Sequence, residues 1–299
     1  MSGLEFGADG KTRVVAGGLR FPEGGAIDAD GSVIVPEVEG GSLRRVTPHR
    51  GVVETVAEAG GGANGCAFGP DGAIYVSNNG GYLFSEQDGQ RFPCGAVDGK
   101  VRGRIQRVDP GDGSVRTLFT ESEGEELGGL NELVFDASGA AYVADTTAGR
   151  IHYMDPIAGV IRIAVDGMYG PNGVGLSPDG ARLYVSETHS GRVRSYVVNG
   201  PGELTELPDL YRHPMEGYAW DGLAVDGEGH VCVADLLRSG VTVLSPAGEE
   251  IARFRTPEPD RSVTNLCFGT SSAYVSSAGR GLLYELPWPW RVLRLNFQP

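Results

Sequence analysis

Short apolar runs, each followed by a Gly-bearing turn and a second apolar run, recur six times along this chain. They read EGGAIDADGSVIVPE from Glu23, NGCAFGPDGAIYVSN from Asn64, NELVFDASGAAYVAD from Asn131, NGVGLSPDGARLYVSE from Asn172, DGLAVDGEGHVCVAD from Asp221 and TNLCFGTSSAYVSS from Thr264. Two apolar runs joined through Asp, Pro and Gly are a β-hairpin in sequence form. A third run follows each hairpin, as in GRIQRVDP, GRIHYMDP and SGVTVLSP, and mostly closes on Pro. Proline cannot donate to a β-ladder, so it ends a strand. A fourth run, such as VVETVAEAG or VIRIAVDG, precedes the next hairpin.

Four antiparallel strands per unit is the plan of a propeller blade. The units start at residues 23, 64, 131, 172, 221 and 264, in steps of 41, 67, 41, 49 and 43 residues, against the roughly 40 to 50 residues of a blade. The last unit has no fourth strand after it, whereas TRVVAGG, residues 12 to 18, stands unpaired ahead of the first. Joining the two closes the ring and removes its open edges. The expectation is an all-β fold, one domain over residues 1–299, a six-bladed β-propeller whose N-terminal strand completes the last blade. The excess length of the second unit is residues 80–101, GGYLFSEQDGQRFPCGAVDGKV. Long insertions in compact repeats are usually functional, so this one is a candidate lid.

Composition narrows the partners. Thirty-nine acidic against 25 basic side chains give a formal charge of −14. That surface repels phosphate backbones and anionic lipid, which excludes nucleic acid and membrane surfaces as expected partners and favours a cation. The N-terminal MSGLEFGADGKTRVV has no basic start followed by an apolar run, and no apolar stretch reaches the about 18 residues of a membrane span. A cytoplasmic protein is expected. Three of the four cysteines, Cys66, Cys232 and Cys267, sit in apolar strand-like runs and Cys94 in a loop. No CxxC occurs, and they are read as reduced thiols.

Aligned by its apolar run, each unit opens on Glu23, Asn64, Asn131, Asn172, Asp221 or Thr264. All six carry a side-chain oxygen. The first strand of every propeller blade lines the central channel, so the six should converge on one mouth of it. The second strand returns antiparallel and ends beside the first strand's beginning. Its last residues, Glu37, Asn78, Asp145, Glu187, Asp235 and Ser277, form a second polar ring. Any one Asn or Asp before Gly is an ordinary turn residue; six polar residues at one blade position point to a shared site. Two carboxylates and three amides with no inner-ring Cys or His suit a hard cation. Ca²⁺ matches best, with Mg²⁺, Mn²⁺ and Zn²⁺ as alternatives. Tyr82, Phe84, Tyr218 and Trp220 near the mouth are candidate substrate contacts, as is His189, two residues past Glu187. No GxSxG and no GxxxxGK[ST] is present, so neither a nucleophile elbow nor a P-loop supports another reading.

The motifs FPEGG, NELVFD, GPNGVGLSPDG and WDGLAVDGEG, in this order and at blade spacing, resemble those of the SMP-30/gluconolactonase/LRE family of six-bladed propellers over essentially the whole chain. The resemblance implies one divalent metal held by Glu23, Asn172 and Asp221, with Asn131 beside it. Asp221 would double as general acid/base in a lactone hydrolase, and Asn64, Asn131 and Thr264 would position a small-molecule substrate. Two departures stand out. The pair Asn131–Glu132 replaces the Asn-Asp of many members, and Gly129 stands where animal-type sugar lactonases carry an arginine that grips the substrate. A different carbonyl-directed reaction at the same metal (C–C cleavage, isomerisation or cyclisation) and a non-catalytic ligand-binding propeller are the alternative functions.

Overall fold

In the computed structural model, which describes residues 4–6, 12–99 and 101–299, almost every regular element is a β-strand. Blade 1 comprises Ala26–Ile27, Val33–Glu37, Ser42–Thr47 and Val52–Glu58, hydrogen-bonded in that order from the channel outward. The inner strands of blades 2 to 5 are Ala63–Phe68, Leu130–Phe135, Pro171–Leu176 and Trp220–Val225, each leading four antiparallel strands, to which blade 4 adds the short Tyr211–Arg212. In blade 6, Val263–Phe268, Ser272–Ser277 and Leu282–Pro287 are completed by Arg13–Gly17, which pairs antiparallel to the outermost of them. The ring thus closes through the N-terminal strand, as the repeat count requires. One strand was not foreseen: Leu4–Phe6 adds in parallel to the outer edge of blade 5. The rest of the N-terminal stretch behind the cytoplasmic expectation, residues 1–3 and 7–11, lies outside the described residues. Among those described, no helix is long and apolar enough to cross a membrane.

The core lies between blades. The second strands are buried at nearly every position because both faces of each sheet are covered, and the large apolar clusters join neighbouring sheets, as Ile34, Leu43, Phe68, Ile74 and Val76 do for blades 1 and 2. Burial of this kind, at ~25 cal/mol per Å² of apolar surface, is what holds six sheets in a ring. The channel below the inner ring is lined by Ile27, Cys66, Phe68, Leu133 and Cys267, and the C-terminal segment with Leu293, Leu295 and Asn296 lines its far end. All four cysteines are free. Burial pushes the Cys66, Cys232 and Cys267 thiols up, so none is a ready nucleophile.

The insertion of blade 2 is a second hairpin, Tyr82–Gln87 paired with Gln90–Ala96, and of its residues Lys100 lies outside those described. It lies over the neighbouring blades 1 and 6 at the mouth. Tyr82 and Phe84 pack against Phe21, Val38 and Ala278. At its tip the Gln90 amide donates to the Pro259 carbonyl (3.3 Å), the Arg261 N–H donates to Gln90 Oε1 (3.0 Å), and the Arg91 N–H donates to the Gly279 carbonyl (2.8 Å). Arg91 also pairs with Glu39. These contacts give the inserted segment partners on two other blades.

Candidate functional site

One backbone device sets the inner ring in all six blades. The residue before each ring position pairs with a residue of the second ring: Pro22 with Glu37, Ala63 with Asn78, Leu130 with Asp145, Pro171 with Glu187, Trp220 with Asp235 and Val263 with Ser277. In blades 2 to 6 the register then shifts before pairing resumes, so the ring residue falls in a bulge. In blade 1 regular pairing resumes only at Ala26. A bulge takes a residue out of the ladder and re-aims its side chain. Asn64, Asn131, Asn172, Asp221 and Thr264 leave the ladder in this way, and Glu23 lies in the unpaired stretch before Ala26.

The second ring anchors the chain's entry to these bulges. Glu37 accepts the Arg20 N–H (2.8 Å), Asn78 that of Gly62 (3.1 Å), Asp145 that of Gly128 (2.7 Å) and Glu187 that of Tyr169 (3.1 Å). Glu37 also accepts the Ser42 hydroxyl (2.5 Å) and Glu187 the Arg194 guanidinium (3.1 Å), and all four residues are buried, which makes them structural supports. Serines one residue earlier add a link that the sequence reading missed. Ser77 donates to the Asn131 carbonyl, Ser186 to that of Asp221 (2.5 Å) and Ser276 to that of Glu23 (3.0 Å). Each ties a ring residue to the blade before it.

Four ring oxygens have no hydrogen-bond partner although they are buried: Glu23 Oε2 and the Oδ1 atoms of Asn64, Asn131 and Asn172. Orphaned buried acceptors are uncommon in folded proteins and need a partner. Asn172 shows how its oxygen comes to be free. Its Nδ2 donates to Thr188 Oγ1 at 3.1 Å, which leaves the amide oxygen pointing the other way. Thr264 behaves differently, its hydroxyl donating to the Pro22 carbonyl at 2.9 Å.

A third carboxylate, absent from the sequence-based candidate list, joins Glu23 and Asp221. Glu132 is buried in the channel and accepts the backbone N–H groups of Val174 (2.9 Å) and Leu223 (3.2 Å) through Oε2, and the Asn265 amide through Oε1. Burial, then the charges of Asp221 and Glu132, raise the Glu23 carboxyl well above its usual range. Burial and the Glu132 charge do the same to Asp221, against the Asn172 amide that favours its ionised form. Burial pushes Glu132 itself up to about 7. Among the described residues no three His, Cys, Asp or Glu side chains are grouped closely enough to hold a metal by themselves. A site here must draw on the amide oxygens, and those are the atoms left without partners. Oxygen-only donors with two carboxylates fit a hard divalent cation such as Ca²⁺.

This cluster makes stability depend on pH. Each of the three carboxyls has a folded-state pKa above its unfolded value, so the folded protein favours their protonated forms. That contribution is complete at low pH and is lost as pH rises through the ordinary carboxyl range toward the raised values, about 7 for Glu132. The melting temperature of metal-free protein is therefore expected to fall between about pH 5 and about pH 8, and saturating Ca²⁺ to reduce the fall. A decline of equal size with and without Ca²⁺ would refute this.

The rim is aromatic on two sides. Phe84 of the inserted hairpin stacks on Phe21 at 5.0 Å. Across blades 4 and 5, His189 holds Tyr169 and Tyr218 edge-on at 5.1 and 4.9 Å, and these two tyrosines are 63% and 66% exposed. Burial lowers the His189 pKa, against the Glu187 charge, and so favours its neutral ring. A Cβ at Gly129 would lie 3.1 Å from the Tyr82 hydroxyl and 3.0 Å from Thr147. The space beside Gly129 is thus taken by Thr147 and Tyr82. Trp220 needs correction: it is fully buried, its indole N–H donates to the Gly191 carbonyl (2.8 Å) and its ring packs on His213 at 4.7 Å. It is a core residue that braces the Asp221 bulge from behind, with no face left for substrate.

The protein is a six-bladed propeller in which four side-chain oxygens at equivalent blade positions are buried without partners. The chain belongs to the SMP-30/gluconolactonase/LRE-like family, whose sequence signature matches residues 21–279. It is 28% identical over 186 residues to the pentonolactonase XacC of Haloferax volcanii, covering 60% of this chain and 62% of that one. With strictosidine synthase-like protein 6 of Arabidopsis thaliana it is 31% identical over 252 residues, 82% of this chain and 62% of the relative. The matched region thus spans about three fifths of each of these relatives. A crystal structure of regucalcin from Agrobacterium tumefaciens, described as a calcium-binding protein, has the same fold with a TM-score of 0.73 at 19% identity, over 98% of this chain and 99% of that one.

Proposed function

We propose that this protein is a divalent-metal-dependent lactonase whose ion, best matched by Ca²⁺, is held by Glu23, Asn172 and Asp221 with Asn131 beside it. The observation that carries this reading is the set of four orphaned ring oxygens next to two carboxyls that burial and mutual charge hold above their usual range. The lactonase activity named for the pentonolactonase relative, and the calcium in the description of regucalcin, support it. A divalent cation there would supply Lewis-acid stabilisation of the charge that develops on a lactone carbonyl under attack by water.

The chain's residues supply the rest. Asp221 is less buried than Glu23 and can reach a water at the mouth. Its carboxylate takes a proton as the water oxygen bonds to the carbonyl carbon, then returns it to the ring oxygen as the ester C–O bond breaks. The product is the open hydroxy acid. Asn64 and Asn131 orient the substrate through their amides, and Thr264 fixes the Pro22–Glu23 turn through its bond to the Pro22 carbonyl.

With Gly129 closed in by Thr147 and Tyr82, and Phe84, Tyr169, His189 and Tyr218 at the rim, we assign the substrate class as lactones with an apolar or aromatic substituent. Metal-stripped and Ca²⁺-supplemented protein should be compared on aryl- and alkyl-substituted lactones, polyhydroxylated sugar lactones, and carbonyl compounds that are not esters. The expected result is Ca²⁺-dependent hydrolysis that favours the substituted lactones, with Tyr218→Ala raising their KM about threefold to tenfold and leaving kcat nearly unchanged. Turnover confined to the non-ester compounds, or no turnover, would overturn the reading.

A further inference from the structure

The position after each ring residue is Gly24, Gly65, Glu132, Gly173, Gly222 or Asn265: four glycines and two polar side chains. The glycines have no room for more. A Cβ at Gly173 would clash with the Leu223 backbone, one at Gly222 with the Asn265 amide, one at Gly24 would lie 2.8 Å from that amide, and one at Gly65 2.7 Å from the Asn131 carbonyl. This layer of the channel therefore holds two side chains. They meet each other, the Asn265 amide donating to Glu132 Oε1.

Glu132 Oε2 has two further donors, and their positions matter. Val174 and Leu223 lie two residues beyond Asn172 and Asp221, on the inner strands of blades 4 and 5. An innermost strand has no neighbouring strand on its channel side, so N–H groups that face the channel need another acceptor. One carboxylate oxygen serves both. It ties together the two strands that carry Asn172 and Asp221, while Oε1 reaches blade 6 through Asn265. From the other side Ser186 makes a parallel link, accepting the Gly173 N–H (2.8 Å) and donating to the Asp221 carbonyl (2.5 Å).

We propose that Glu132 is a positioning residue: through its bridge to Val174, Leu223 and Asn265 it sets the spacing of Asn172 and Asp221, and with it the affinity of the ion site. This rests on the metal-site reading given above. The groups that position metal ligands from behind are commonly worth about tenfold to a hundredfold in affinity. The geometry makes specific demands on the side chain. Aspartate is one methylene shorter and cannot keep all three bonds. Glutamine can keep one oxygen on the two backbone donors, but its NH₂ then faces the NH₂ of Asn265, whose own Oδ1 already accepts the Leu266 N–H (2.7 Å). Exchanging the pair, Glu132→Gln with Asn265→Asp, restores one donor opposite one acceptor and returns the charge to the layer.

The experiment is Ca²⁺ titration of metal-stripped wild type, Glu132→Gln and the double variant, each first checked for cooperative melting, with kcat and KM measured alongside. Glu132→Gln is expected to weaken Ca²⁺ binding about tenfold to a hundredfold, and the double variant to recover most of the loss. A contribution to folding alone would lower the melting temperature without this loss and rescue in ion affinity. Equal affinity in Glu132→Gln and wild type, or a double variant no better than the single one, would overturn the proposal. Wild type that binds no Ca²⁺ would remove the metal-site reading and this inference together.

Discussion

Asp221→Asn is expected to reduce lactone turnover by about a thousandfold with the propeller intact, since general-base catalysis contributes on the order of 10² to 10⁴. Asparagine is nearly isosteric and keeps an oxygen for the ion with one ligand charge fewer, so the comparison is made at saturating Ca²⁺, where the remaining loss reflects that it cannot accept the proton of the attacking water. The loss should fall on kcat, with KM little changed. The same change has an opposite effect on the metal-free fold. Burial and the Glu132 charge disfavour the Asp221 carboxylate, so a neutral amide there should raise the melting temperature of metal-free protein near neutral pH. Kinetics and melting on one preparation test both. Retained turnover would remove Asp221 from catalysis, and lower stability would contradict the account of buried like charges.

Glu23→Gln should act on the ion more than on the chemistry. Glu23 Oε2 is buried without a partner, and Asp221 and Glu132 both repel its charge. A cation relieves this conflict, and removing one of two ligand charges should weaken Ca²⁺ binding on the order of a hundredfold, because ligand charge count is a main determinant of calcium affinity. Saturating Ca²⁺ should then restore much of the turnover in Glu23→Gln, which it should not do for Asp221→Asn. The contrast separates the holder of the ion from the mover of the proton.

Much of this was legible in the sequence because a propeller repeats itself. Six hairpins at blade spacing define the blades, and the unpaired strand ahead of Glu23 predicts how the ring closes. The alignment also exposed the six ring residues, since the bulge that presents them recurs at one blade position. What stayed hidden depends on contacts between blades. Glu132 stood out only as a departure from the family's Asn-Asp pair, with no role read from it. The signal lay one column along, where four blades carry Gly and one carries Glu, but its three hydrogen bonds join residues 42, 91 and 133 positions away. Trp220 was misplaced for a related reason. It adjoins Asp221 in sequence, yet the bulge turns the two side chains apart, one to the channel and one into the core. The insertion after Asn78 was readable as extra length, whereas its docking on Phe21, Pro259 and Gly279 is tertiary. The second ring was correctly polar and correctly beside the first, and only the hydrogen bonds show that it holds backbone.

The central claim is that the orphaned oxygens of Glu23, Asn131 and Asn172, with Asp221, hold one cation. Calorimetric titration of metal-stripped protein with Ca²⁺ tests it most directly, run on wild type beside Glu23→Gln. The account predicts one ion per chain for wild type and a large loss of affinity in the variant. No saturable binding to wild type, or binding that Glu23→Gln leaves unchanged, would contradict it.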